Sequence, residues 1–426
     1  MGEKKAFLLI TGDLSHPALP HQQYTFSWSI NRLRPITRLG YYLIVLCAAG
    51  VTCDSRLREL VANLRPVTLY DGGVILLRSP ILRLPRIWFF SSLVMSPVFA
   101  WIYTATKQIK IEAIVATSVA YGAIGKIANT LFNTLLAVDY GDPEYLRLKG
   151  LSLWFLKFLE RFVILRRGVS LWTYFDPVIG SRLTQFGVRE SIFLPPGGYD
   201  KNYSATSGEL QAGPSRKIII YACHLAAKPY RLDLILEAAP AVLENHKDAQ
   251  FVIVGAGSEL PRLMEEVRKR GLQRYFLFTG PLPYPKAREW ISKATVALQP
   301  TEDMCLGTKV IDYMVLGKAV VACGKFYNKY SQFLINGKNC LLCPPNAREL
   351  AANINKLLSD EKLRKTIEQN ARETVRKYDW DSQAQEFLTT IKRKTVHKVC
   401  LPVPIRAYVD PNESIKAYLK FRQRAR

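Results

Sequence analysis

The chain of 426 residues is too long for one ordinary domain and suits two of roughly 200 residues each. Hydrophobic residues make up 49% and charged residues 22%, which excludes a disordered polymer and supplies a core of normal size. A formal net charge of +24 points to phosphate-bearing partners, whether nucleic acid, anionic lipid headgroups or a phosphorylated small molecule.

The first apolar run, residues 6–11, is too short for a signal peptide and reads as a β-strand that ends at Gly12. Further strands are expected at 41–47, 67–70, 113–117, 135–139 and 170–174. Helical patterns lie between them at 57–64, 87–107, 123–132 and 153–165. The uncharged run 87–106 has membrane length, but its Ser and Pro residues favour an apolar helix of the first domain, lying in the core or on a membrane surface. Residues 202–215, rich in Ser, Gly, Ala and Pro, read as a linker.

The second half repeats the alternation. Strands are expected at 217–222, 251–254, 276–278, 296–298, 319–322 and 341–342, with helices at 231–244, 259–270, 284–293, 309–316, 347–358 and 361–377. The strand runs are wholly apolar, as parallel strands covered on both faces must be. A last helix is expected at 381–394, followed by a basic tail; residues 391–426 hold 10 Lys/Arg against 2 Asp/Glu. The division is therefore residues 1–200 as a first domain, 201–216 as linker, 217–380 as a second domain and 381–426 as a crossing helix and tail. Ligands of such doubly wound domains sit at the carboxyl ends of the strands.

Several residues at those ends suit phosphate chemistry. Val254-Gly-Ala-Gly-Ser258 links a strand to a helix, and Gly255 and Gly257 permit a tight turn close to a ligand. Gly307, Thr308 and Lys309 open the next candidate helix, whose amides can hold phosphate or sugar oxygens, and Asp312 lies one turn further. His224, Lys228 and Arg231 follow the strand 217–222, where a cation can neutralise a departing diphosphate. The eight cysteines are scattered, which fits reduced thiols in a cytosolic compartment; Cys340-x-x-Cys343 has a metal-like spacing but no second pair beside it.

In order and approximate spacing, Phe251-Val-Ile-Val-Gly-Ala-Gly-Ser-Glu259, Phe278-Thr-Gly280, Gly307-Thr-Lys-Val-Ile-Asp-Tyr-Met-Val-Leu-Gly-Lys-Ala-Val-Val-Ala322 and Asn336-Gly-Lys-Asn-Cys-Leu-Leu-Cys-Pro344 resemble the retaining GT-B glycosyltransferases of family 4, or group 1. In the first half, Val138-Asp-Tyr-Gly-Asp-Pro143 and Leu194-Pro-Pro-Gly-Gly-Tyr-Asp200 resemble the same family more loosely.

The resemblance implies an α/β GT-B fold, two Rossmann-like doubly wound domains facing a cleft. It implies an enzyme that moves a sugar, with retention, from a nucleotide-diphosphate sugar to a membrane-associated or saccharide acceptor. That donor is a co-substrate, and no metal or cofactor is expected. Asp312 aligns with the second acid of the family's E-x7-E motif, which holds the ribose, while the first falls at Met304. His224 stands where the family has an Arg, and Lys228 matches its phosphate-binding Lys. Asp142, and less securely Asp139, are the candidates for positioning or deprotonating the acceptor. His16 and His21 follow Gly12 in a loop that in the family meets donor or acceptor. Arg86, Trp88 and Phe89, with the tail 415–426, are the expected contacts to the anionic cytoplasmic face of a membrane. Nucleic acid is not expected as a partner, since no helix-turn-helix, zinc-finger spacing or RNP motif occurs. A non-catalytic family member, or a basic nucleic-acid-binding protein, is the alternative.

Overall fold

The computed structural model describes residues 3–11, 28–47, 67–70, 72–78, 88–141, 150–165, 169–188, 190–195, 198, 217–226, 229–303, 306–329 and 333–396. The expected helix 57–64, the linker 201–216 and the tail 415–426 lie outside the described residues.

The first sheet is built from β1 (Lys4–Thr11), β2 (Tyr42–Cys47), β3 (Val67–Tyr70), β4 (Val74–Arg78), β5 (Ile109–Thr117), β6 (Leu135–Asp139), β7 (Leu171–Tyr174) and β8 (Ser191–Phe193). Their order is β3-β4-β2-β1-β5-β6-β7-β8. All pairings are parallel except β3 with β4 at one edge. Sequence reasoning missed β4 and β8. Gly72 and Gly73, with φ of +77° and +81°, close the β3–β4 hairpin by a backbone conformation that side chains resist. The three residues of β8 are too few to display a period.

Helices α1 (Trp28–Leu33), α2 (Trp88–Thr106), α3 (Ser118–Phe132), α4 (Gly150–Leu165) and α5 (Pro177–Gln185) belong to this half. The short α1 and α5 were not anticipated. In α5, Asp176 caps the start by accepting from the amide of Val178, with Pro177 in the first turn, where its missing N–H costs nothing. The strongly apolar run read as membrane-length is α2. It packs against α3 through buried Ser96 and Ala100, and among the described residues no helix is long and apolar enough to cross a membrane.

The second sheet comprises β9 (Lys217–Ala222), β10 (Ala249–Val254), β11 (Phe276–Gly280), β12 (Val296–Pro300), β13 (Ala319–Cys323) and β14 (Leu341–Cys343), in the wholly parallel order β11-β10-β9-β12-β13-β14. Helices α6 (Leu232–Asn245), α7 (Leu260–Lys269) and α10 (Ala347–Ser359) cover one face. Helices α8 (Tyr284–Lys293), α9 (Thr308–Val315) and α11 (Glu361–Val375) cover the other. Both faces of each strand are thereby removed from water, which is why the runs are apolar without alternation.

The last helix, α12 (Trp380–Val396), leaves the second sheet and seals the first. Its Ala384, Phe387, Leu388 and Ile391 are buried in one cluster with Phe7, Leu9, Ile30, Leu33 and Leu43. Burial of each large side chain there contributes about 1.5–3 kcal/mol. Beside the cluster, buried Arg32 reaches three separate segments. It donates to Asp139 Oδ2 at 2.8 Å, to the Pro195 carbonyl at 2.8 Å and to Gln383 Oε1 at 3.2 Å.

Candidate active site

Strand order reverses at β9, whose two neighbours are β10 and β12, so a crevice opens at the carboxyl ends between the loops after β9 and β12. The first loop begins Cys223-His224-Leu225. The Cys223 amide bonds the Val254 carbonyl, and the Leu225 amide bonds that of Ala256. This loop therefore lies directly against the glycine turn. A Cβ at Gly255 would stand 2.1 Å from the Cys223 carbonyl oxygen, and one at Gly257 would stand 2.1 Å from that of Leu225. On the side where a Cβ would stand, both glycines face the chain's own backbone.

The loop after β12 leads to α9. Gly307 is its N-cap, in extended conformation and without a side-chain cap, so amides of the first turn face outward with the positive end of the helix dipole. Tyr313 anchors this helix to β9, accepting the Ala222 amide at 2.9 Å on its hydroxyl. Burial pushes the Tyr313 phenol well above its usual range, so that oxygen stays neutral.

Asp312, one turn into α9, is buried. Its Oδ1 accepts from the Tyr284 hydroxyl at 2.7 Å and its Oδ2 from Lys309 Nζ at 2.8 Å. Arg288 donates to the Tyr284 hydroxyl at 3.3 Å, and Lys309 Nζ sits 5.0 Å from the centre of that ring. Burial acts to lower the Lys309 pKa, but the Asp312 charge and hydrogen bond outweigh it and the net direction is upward. Tyr284 is pushed up by burial and then by Asp312. The result is a preorganised carboxylate held between a cation and a neutral phenol. Sequence reasoning found Lys309 and Asp312 but missed Tyr284 and Arg288, which come from α8 and carry no local motif.

The remaining cations divide. The His224 side chain is exposed beside the crevice. Arg231 is not available as a free charge. It chelates Asp233 with Nε and Nη2 and donates through Nη1 to Glu302 at 2.8 Å, while Lys325 pairs with the other oxygen of Glu302. Burial raises the Glu302 and Asp233 carboxyls, but these cations hold both below the usual carboxylate range. Arg231 thus ties the start of α6 to the loop after β12. Gly12, Asp142, Lys228, Met304, His16, His21 and Arg86 lie outside the described residues, as do the side chains of Trp88 and Phe89.

The first sheet has its own reversal between β1 and β5. There Thr117 donates to the Thr11 hydroxyl at 3.0 Å, and Ser118 adopts φ of +66°, a left-handed conformation costing on the order of 1–3 kcal/mol for a non-glycine residue. Asp139, at the end of β6, is buried and binds Arg32 through Oδ2 at 2.8 Å. Burial pushes its carboxyl upward and Arg32 pulls it back. Among the described residues no group of three His, Cys, Asp or Glu could hold a metal ion. Cys340 and Cys343 are both buried, with the Cys340 thiol pushed up by burial.

Residues 205–374 match the family model for glycosyl transferases group 1. Among curated relatives, alpha-D-kanosaminyltransferase of Streptomyces kanamyceticus is 27% identical over 157 residues, 37% of this chain and 40% of that protein. Phosphatidyl-myo-inositol mannosyltransferase of Mycobacterium leprae is 27% identical over 161 residues, 37% of this chain and 41% of that protein. The matched stretch thus spans about 40% of the length of these relatives. Among solved structures, sucrose-phosphate synthase from Thermosynechococcus elongatus superposes with a TM-score of 0.69 at 17% identity, over 92% of this chain and 100% of that one. Anabaena HepE in complex with UDP superposes with a TM-score of 0.64 at 15% identity, over the same shares. At such identities the likeness establishes the fold, and that fold is GT-B.

Proposed function

We propose, from the match of residues 205–374 to the family model for glycosyl transferases group 1, that the chain transfers a sugar from a nucleotide-diphosphate sugar to a saccharide or membrane-associated acceptor. The observation that carries this reading is buried Asp312, one turn inside the uncapped N-terminus of α9, at the strand-order reversal of the second sheet. A carboxylate there accepts from ribose hydroxyls, and the helix end and Lys309 lie within one turn for the diphosphate.

In the reaction the bond from the anomeric carbon to the diphosphate breaks and negative charge gathers on the leaving oxygens. The Thr308 and Lys309 amides, Lys309, Lys228 and His224 are the groups assigned to that charge, in a crevice where water screens little. The diphosphate leaves bearing that charge, and the acceptor oxygen takes the sugar and gives up its proton. Asp142 is assigned to position the acceptor or receive that proton. Retention at the anomeric carbon belongs to the reading through the resemblance of residues 307–322, and no cofactor is assigned. The HepE complex with UDP makes uridine the first nucleotide to test. The site of action is taken to be the cytoplasmic face of a membrane, where a basic chain meets anionic lipid.

A thermal-shift screen of UDP-, GDP- and dTDP-sugars tests the donor assignment, and product analysis by NMR tests retention. Stabilisation by one donor is expected. No stabilisation by any of them, with salt-sensitive binding to RNA or DNA instead, would replace this reading with the nucleic-acid one. Donor binding without turnover on any acceptor would favour a non-catalytic role.

A further inference from the structure

The chain itself supplies hydrogen-bond donors to both oxygens of Asp312. Oδ1 accepts from the Tyr284 hydroxyl at 2.7 Å and Oδ2 from Lys309 Nζ at 2.8 Å, on a side chain only 10% exposed. The direction of the Tyr284 bond is fixed by a third residue. Buried Arg288 reaches the same phenol oxygen at 3.3 Å, and a guanidinium only donates, so the phenol hydrogen is left for Asp312. Burial, and then the Asp312 charge, push the Tyr284 pKa upward, so the phenol keeps that hydrogen at neutral pH.

The same cluster holds Tyr284 in place. It is the first residue of α8, with Pro283 as N-cap and Pro285 next in the helix, and each proline fixes its own φ. Lys309 Nζ and the Arg288 guanidinium lie 5.0 and 5.7 Å from its ring centre, within range of attraction to the ring face. A donor fixed this way needs no ordering when a nucleotide enters. A ribose brings two adjacent hydroxyls to a carboxylate, and a 2′-deoxyribose brings one. Where a buried acceptor depends on the ligand for its partner, the analogue that lacks the hydroxyl is rejected steeply, because the acceptor is left bare. At Asp312 neither oxygen is left bare, and each has a further lone pair for a hydroxyl when one is present.

We propose that Tyr284 is a specificity-determining residue of the donor site, standing in for one ribose hydroxyl at Asp312 Oδ1, and that the chain accepts 2′-deoxyribonucleoside diphosphate sugars alongside the ribo forms. The inference rests on the donor reading of Asp312 given above. A missing hydroxyl then forfeits only the net worth of one hydrogen bond, which is within about tenfold in affinity. With the tyrosine hydroxyl removed, a ribose can fill Oδ1 with a hydroxyl of its own, whereas a deoxyribose leaves that oxygen bare. The two nucleotides should therefore separate in affinity when Tyr284 loses its oxygen. A tyrosine that merely held the carboxylate in position would, on losing its hydroxyl, weaken both nucleotides alike.

The test is calorimetric titration of the full chain with UDP against 2′-deoxy-UDP, and with GDP against 2′-deoxy-GDP. Each pair shares base and diphosphate and differs in one hydroxyl. The wild type is expected to hold the members of the pair it binds within about tenfold of each other. Tyr284→Phe should widen that ratio by about 5–100-fold, the cost of a bare buried acceptor, and Asp312→Ala should bring it close to one. A wild-type preference for the ribo form above about tenfold overturns the inference, and that measurement needs no variant to fold. So does an unchanged ratio in a Tyr284→Phe chain that keeps the wild-type melting curve. Either result leaves the donor reading standing, because a nucleoside diphosphate still binds. If none of the four binds, the donor reading falls and takes the inference with it.

Discussion

Replacing Arg32 by Met tests whether the junction between α1, β6 and α12 is structural or catalytic. The Arg32 and Asp139 side chains are only 4% and 5% exposed, and their charges meet at 2.8 Å. Removing the cation strands a buried carboxylate, which costs about 3–5 kcal/mol. It also takes a donor from the Pro195 carbonyl and from Gln383. In a half of this size the loss should lower the melting temperature by roughly 10 °C. The pH dependence follows from the direction of the Asp139 shift. Burial raises the carboxyl above its ordinary value of 3.8, and without the guanidinium only the side-chain hydrogen bond from Thr173 opposes that rise. A native carboxyl that holds its proton to higher pH than the unfolded one loses stability as pH rises, so the deficit should be larger at about pH 8 than at about pH 5. Arg32→Met with Asp139→Leu should recover most of the loss, because apolar side chains of similar volume replace a buried ion pair at little net cost. Urea titration gives the free energies and the coupling between the two sites. A single variant within about 1 kcal/mol of wild type, or a double variant as costly as the sum of the singles, would refute the reasoning. A double variant that folds but transfers no sugar would restore Asp139 to the chemistry.

Asp312→Ala should weaken nucleotide binding by about 10–100-fold in calorimetry, the loss of charge-assisted bonds to ribose, and an unchanged affinity would refute the assignment. Tyr284→Phe should tighten binding, since the tyrosine hydroxyl and a ribose hydroxyl compete for Asp312 Oδ1; weaker binding would mean that Tyr284 positions the carboxylate instead. Gly257→Ala should lower the melting temperature, its Cβ falling 2.1 Å from the Leu225 carbonyl oxygen, with a cost of about 1–3 kcal/mol. His246 is buried, accepting from Lys217 Nζ at 3.1 Å on Nδ1 with Ser359 Oγ 3.2 Å from Nε2. Burial and then Lys217 lower its pKa below 6.5, so stability is fully present above that value and falls as pH drops through it. His246→Asn should flatten this dependence between about pH 5 and 7, and an unaltered slope would place its origin elsewhere.

The second sheet was legible because each of its strands is a buried apolar run between turn residues, and parallel pairing demands that pattern. Lys309 and Asp312 were legible because they sit together on one short helix. Tyr284 was not, since it reaches Asp312 from α8 and nothing near it in the chain signals the contact. Arg231 shows the converse. Its place at a strand end suggested a free cation, but Glu302 is a neighbour only after β12 comes to lie beside β9. The glycines at 255 and 257 were read correctly as a close approach, yet the approaching group is the chain itself. Strand β4 was not legible as a separate strand, because the antiparallel β3–β4 hairpin turns at Gly72 and Gly73 only a few residues after β3.

The return of α12 to the first sheet also sets an order of events during synthesis. The face formed by Phe7, Leu9, Ile30, Leu33 and Leu43 leaves the ribosome early, but the helix that covers it is made near the end. At about 5–20 residues per second, the stretch from Phe193 to Trp380 takes roughly 10–40 s to translate. For that interval the nascent first half carries an open apolar face, and a chaperone that binds such faces would find its target there. Cutting the chain before Trp380 would make that transient state permanent.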